Sequence, residues 1–220
     1  MSAHRRVGPE EAPEHRWPPI VAVAAAMVLW MLLPGYFFPP LRAAAVVACA
    51  ALILPLVVLN PHHLTRQTAW SRALSVGLVL VLLVFNQVLL VRLVFELLTA
   101  PQTEGLSVLI AALQLWATNA IAFGLLLWEL DGGGPVARAV GARTRAGSDI
   151  QFPQDLADEF SRWRPRFFDY LYVSITAGIA FSPADAVPLT RRAKAFLAAE
   201  AVSAYIISVL VIARAVSTVA

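Results

Sequence analysis

At 220 residues, 59% hydrophobic and only 14% charged, the chain departs from soluble domains, which are about 45–50% apolar and about 25% charged. Its mean hydropathy of +0.71 points to a membrane protein. The net charge of +3 is carried almost wholly by arginines in loops between apolar runs, which excludes a nucleic-acid-binding surface.

Residues 1–16 form a polar tail in which Arg5, Arg6 and Arg16 are interspersed with Glu10, Glu11 and Glu14. The apolar segment that follows is expected to be an uncleaved anchor, because "PGYFFPP" offers no small-residue cleavage site. A membrane-spanning helix needs roughly 20 mostly apolar residues. Four segments meet that need: Ile20–Phe38, Ala43–Leu59 with Pro55 inside it, Ala73–Leu98, and Leu106–Leu130. Residues 17–130 are therefore predicted to hold four transmembrane helices. Arg92 and Glu96, at i,i+4 spacing, are placed to pair near the end of the third. Trp17, Tyr36, Trp70, Trp116 and Trp128 lie at or near segment ends, as amphipathic rings at a membrane interface do.

Residues 131–165 are the long polar loop. "DGGGP" ends a helix, since glycines accept positive φ and Pro135 cannot continue the hydrogen-bond ladder. In "FPQDLADEFSRWRP", Leu156, Phe160 and Trp163 recur at i, i+4, i+7, which fits a short amphipathic helix on the membrane surface; a solvated loop is the alternative. Residues 166–220 hold an apolar piece, Phe167–Phe181, then a broken stretch, then a helix from about Arg191 to Ala213.

Catalytic and metal chemistry have little to build on. His4 and His15 sit in the polar tail, and the adjacent His62 and His63 have no Cys, Asp or Glu beside them, which is a weak metal signal. No nucleophile elbow, zinc-protease helix or phosphate-binding loop is present in the sequence. No enzyme activity, cofactor or metal is expected. Cys49 is the single cysteine, so an intrachain disulfide is excluded. Asn86, Gln87, Gln114, Thr118 and Asn119 fall inside spans, where interhelical hydrogen bonding is the expected role. Glu200 falls near mid-membrane on the last helix, with Ser203, and at the margin Ser208, close to its face. Arg92 and Lys194 are candidate partners for it, and a water-lined cavity would serve as well.

In the last quarter of the chain Asp169, Leu171, Tyr172 and Ser174 form a "D-x-L-Y-x-S" phrase, Asp185 and Pro188 follow with Leu189 and Thr190, and Arg192, Glu200 and "VLVIARAV" lie on the final helix. In that order they resemble the pore helix, the end of the filter loop and the inner helix in the pore module of bacterial potassium-channel-like proteins. The resemblance implies an oligomeric ion channel in which Ala180, Phe181, Ser182, Pro183, Ala184 and Asp185 stand at the filter, with Glu200 and Ser203 facing the pore. The filter glycines are missing, and Pro183 fixes its own φ and lacks an N–H. Stacked carbonyl rings, and with them potassium selectivity, are therefore not expected.

The arginines gather in the amino-terminal tail, the second loop and the long loop, which places these three in the cytoplasm. Potassium-channel pore loops enter from outside. Either Phe167–Phe181 crosses fully, giving six spans, or the pore-like module sits inverted; a failure of the charge rule over so long a loop is the third possibility. The expected protein is an all-α polytopic bundle of five to six segments. It is multi-pass in a bacterial cytoplasmic membrane, a homo-oligomer in the lipid bilayer, and open to monovalent cations. A non-conducting scaffold or regulator derived from a channel, or a small secondary transporter, are the alternatives.

Overall fold

The computed structural model describes residues 14–59, 68–99, 105–140, 147–156, 163–180 and 186–219. Six apolar helices make the bundle: α1 (Trp17–Met31), α2 (Pro39–Leu59), α3 (Ala69–Thr99), α4 (Gly105–Leu130), α6 (Phe167–Ala180) and α7 (Arg191–Val219), with a short α5 (Pro135–Val140) after α4. Four of them, α2, α3, α4 and α7, are long and apolar enough to cross a membrane. The outer surface carries large apolar side chains such as Val47, Val58, Val91, Leu98 and Phe168, in the manner of a lipid-facing shell.

The helix ends follow local chemistry. Thr68 accepts a hydrogen bond from the Ser71 N–H at the start of α3, and Thr190 does the same for the Ala193 N–H at the start of α7. Asp169 reaches back to the Arg166 N–H, which is half of a capping box for α6. At the end of α1 a 3₁₀ turn, Gly35–Phe37, leads through Phe38 at φ 48° into α2. The Ile20–Phe38 expectation is corrected here: the helix opens earlier, with prolines in its first turn, and stops at Met31. Arg42, buried in the first turn of α2, donates to the Trp30 and Leu33 carbonyls and so ties the start of α2 to the end of α1.

Most of the core is built around α4. Of its most apolar stretch 61% is buried, against 22% for α2 and 28% for α7, so α4 is the inner helix of the bundle. Gly124 allows the closest approach: a Cβ there would stand 3.0 Å from the Leu171 Cα on α6. The α6 axis is fixed by three further contacts. Tyr170 reaches Asp131, Ser174 reaches the Ala120 carbonyl, and Gly178 lies beside Trp116. Rising numbers on α6 meet falling numbers on α4, so these two are antiparallel. Against α7, Ser174 meets Glu200 and Gly178 meets Ala204, so α6 and α7 run parallel from one end of the bundle.

A two-residue antiparallel ladder pairs β1 (Ile150–Gln151) with β2 (Val187–Pro188) at that same end. The helix end expected at "DGGGP" is present: α4 stops at Leu130, and Pro135 opens the short α5, where its missing N–H costs nothing. In the stretch read as an amphipathic helix or a solvated loop, Pro153–Leu156 is a 3₁₀ turn and Trp163 is non-helical, while residues 157–162, Phe160 among them, lie outside the described residues.

Candidate functional site

Two polar constellations sit in an otherwise apolar bundle. The first crosses its middle. Asn119 of α4 accepts hydrogen bonds from Asn86 at 3.1 Å and Gln87 at 3.0 Å, both on α3. Thr118 donates to Asn86, and Ser203 of α7 donates to Gln87 at 2.9 Å. Amides and hydroxyls that would be costly alone in hydrocarbon thus satisfy one another across three helices. Gln114 takes no side-chain part in this belt; its backbone carbonyl lies 3.0 Å from the Thr118 hydroxyl. Ser208 likewise turns to its own helix, donating to the Ala204 carbonyl.

Next to the belt lies Glu200, fully buried at 0% exposure. Neither expected cationic partner reaches it. Arg92 pairs with Glu96 at 3.0 Å, the i,i+4 pair that the spacing predicted, and Lys194 is exposed near the start of α7. Glu200 instead meets the Ser174 hydroxyl, which lies 2.7 Å from the Ala120 carbonyl. Glu200 and Ser203 therefore face the interior of the single-chain bundle between α3, α4, α6 and α7, away from any outer face of α7. Asp169 and Ser174 of the pore-helix phrase hold the start and the middle of α6, while Tyr172 is exposed. Ala180 is the last residue of α6; Phe181, Ser182, Pro183, Ala184 and Asp185 lie outside the described residues.

The second constellation ties the arginine-bearing end together. Helix α4 ends in three glycines with φ of 58°, 85° and 98°, values a side chain would resist. Guanidinium groups gather on the carbonyls left there: Arg138 on Trp128 and Asp131, Arg72 on Gly133, and Arg192 on Leu130. Cations at a helix carboxyl end oppose its dipole. The Asp131 carboxylate accepts from the Asp149 and Ile150 N–H groups and from the Tyr170 hydroxyl. Asp149 in turn takes a bidentate pair from Arg192 and a hydrogen bond from Thr190. Sequence reasoning did not single out this cluster, because its members lie far apart along the chain. A carboxylate immediately before a glycine run was the one available signal.

Between α1, α2, α3 and α4 at the same end opens a cleft lined by Arg16, Arg72 and Glu129 together with Val23, Leu56 and Leu78. The tryptophans divide: Trp17 and Trp70 are more than half exposed, as at an interface, whereas Trp128 is buried and donates to Glu14 at 3.0 Å. No family, curated protein or solved structure matches the chain.

Proposed function

We propose that the chain is a channel-like integral membrane protein whose residues 166–220 form a pore-loop module entered from the cytoplasmic face. The observation that carries this reading is the parallel course of α6 and α7, both starting beside the end of α4. A helix of 14 residues rises about 21 Å, short of a hydrocarbon core of about 30 Å. Its successor begins again where it began, so α6 enters without crossing. The four helices long enough to cross, α2, α3, α4 and α7, together with the shorter α1 and the turn that follows it, then make five crossings, and α6 is re-entrant, in the order outer helix, half-helix, return and inner helix that a pore loop requires. The entry face is the one bearing Arg16, Arg72, Arg138 and Arg192, which the charge rule makes cytoplasmic. The module is thus inverted relative to a potassium channel.

Without filter glycines, the return segment cannot present stacked carbonyl rings, and discrimination between K⁺ and Na⁺ is weak. Asp185 is the nearest carboxylate in that segment. Protein in liposomes should pass cations with bi-ionic K⁺/Na⁺ reversal potentials near zero, and Asp185→Asn should lower the conductance without unfolding the bundle. Strong potassium selectivity would sink this reading. No flux at all favours the second one, a non-conducting scaffold with a channel-like topology, which the mutual satisfaction of Asn86, Gln87, Asn119 and Ser203 within one chain also supports.

A further inference from the structure

Hydrogen counting at the Glu200 pocket leads beyond the pore-loop reading and does not depend on it. Three oxygens meet there: Glu200 Oε1, Ser174 Oγ and the Ala120 carbonyl. The serine hydroxyl lies within hydrogen-bond reach of both others yet carries one hydrogen. If it donates to the carboxyl, Ser174 Oγ and the Ala120 oxygen face each other at 2.7 Å with lone pairs only. If it donates to Ala120, the contact with Glu200 needs a hydrogen supplied by the carboxyl. Only the second arrangement leaves neither contact without a hydrogen.

The surroundings point the same way. Glu200 Oε2 is buried without a hydrogen-bond partner, a position far more costly for an anion than for a neutral acid. Helices α3, α4 and α6 and strand β2 pack against α7. Their charged groups stand at helix ends and are turned to other tasks. Arg72 binds the Gly133 carbonyl, Arg92 pairs with Glu96, Asp169 caps α6, and Glu129 lies at the cleft; β2 has no charge. On α7 itself Arg192 is held by Asp149, Arg191 and Lys194 are exposed, and Arg214 lies about four turns further along the helix. Among the described residues, the polar contacts at Glu200 are the uncharged Ser174 and, through it, the Ala120 carbonyl.

We propose that Glu200 is a mid-membrane proton-binding site, its carboxyl hydrogen donated to Ser174 Oγ and the serine hydrogen passed on to the Ala120 carbonyl. Infrared difference spectra of the full chain in liposomes at neutral pH, wild type against Glu200→Gln, provide the test. The wild type should show the carbonyl-stretch band of a protonated carboxylic acid, lost in Glu200→Gln. Ser174→Ala should move that band to higher frequency, because the acid loses its acceptor. If the Gln variant does not fold, the Ser174→Ala shift alone decides, and a band that stays in place overturns the proposal. Absence of the band in the wild type overturns it too. So does a band that disappears when sodium replaces a bulky organic cation, since these oxygens would then be holding a metal ion.

Discussion

Glu14 joins parts of the chain that are distant in sequence: its carboxylate accepts from the Phe167 N–H, 153 residues on, and from the Trp128 indole. It thereby places negative charge on the amino end of α6, where the helix dipole favours it. Burial nonetheless outweighs these hydrogen bonds and the nearby Arg138 and Arg166, and holds the Glu14 carboxyl above its ordinary value. An acid with a raised folded pKa binds its proton more tightly in the native state. Its contribution to stability is therefore full below the ordinary carboxylate pKa and is lost as pH rises through the raised value. Melting of the detergent-solubilised protein should move to lower temperature as pH climbs from roughly 4 toward neutrality. Glu14→Gln should flatten that slope, because Gln can still accept from Phe167 while no longer titrating. A variant whose slope matches the wild type would assign the pH dependence to another group.

Helix α6 owes its position to a close crossing with α4, and Gly124 is where that crossing is tightest. Gly124→Val would drive methyl groups into the Leu171 backbone, which cannot swing aside as a side-chain tip can. Overpacking of this kind costs typically about 1–3 kcal/mol. Gly77 on α3 has open space where a Cβ would go, so Gly77→Ala should leave thermal stability unchanged or raised. Equal melting temperatures for the two variants would remove the α4–α6 contact from the account. Both glycines are equally visible in the sequence, yet nothing in it separates them. The long helices were legible because their uncharged runs exceed what a soluble fold tolerates, and the Arg92–Glu96 pair because helical spacing alone dictates it. The parallel course of α6 was not legible. A helix of 14 mostly apolar residues reads the same in either direction, and the evidence for direction comes from contacts with Asp131, Ala120 and Glu200, each on another element. The bond between Glu200 and Ser174 was hidden for the same reason.

At the scale of the whole molecule, the proposed orientation can be checked from both ends of the bundle. The end that carries Arg16, Arg72, Arg138 and Arg192 also carries exposed Ala139 and Val187, while Thr99 is exposed at the other end. With buried Cys49 replaced by alanine, single cysteines can be introduced at these positions and probed with an impermeant thiol reagent. Thr99→Cys should label in intact cells. Ala139→Cys and Val187→Cys should label only after the membrane is opened, and the two should agree with each other. Outside labelling of both would reverse the orientation while keeping α6 re-entrant. Labelling of Ala139→Cys and Val187→Cys from opposite sides would mean that α6 crosses.

The carboxylate cluster at the arginine-bearing end also has an entropic meaning. Tyr170, before the excursion, and Leu189, Thr190 and Arg192, after it, are all fastened to the linked pair Asp131 and Asp149. Both ends of the stretch from Tyr170 to Arg192 thus stand on one post. Ring closure depends on length logarithmically, so lengthening such a segment by two residues costs a few tenths of a kcal/mol. Inserting two glycines between Pro183 and Ala184 should leave the melting temperature within about 1–2 °C of wild type. A loss of flux in that variant could then be ascribed to the path itself, since folding would be indifferent to the added length; a large fall in melting temperature would mean that the segment is packed as tightly as the helices it connects.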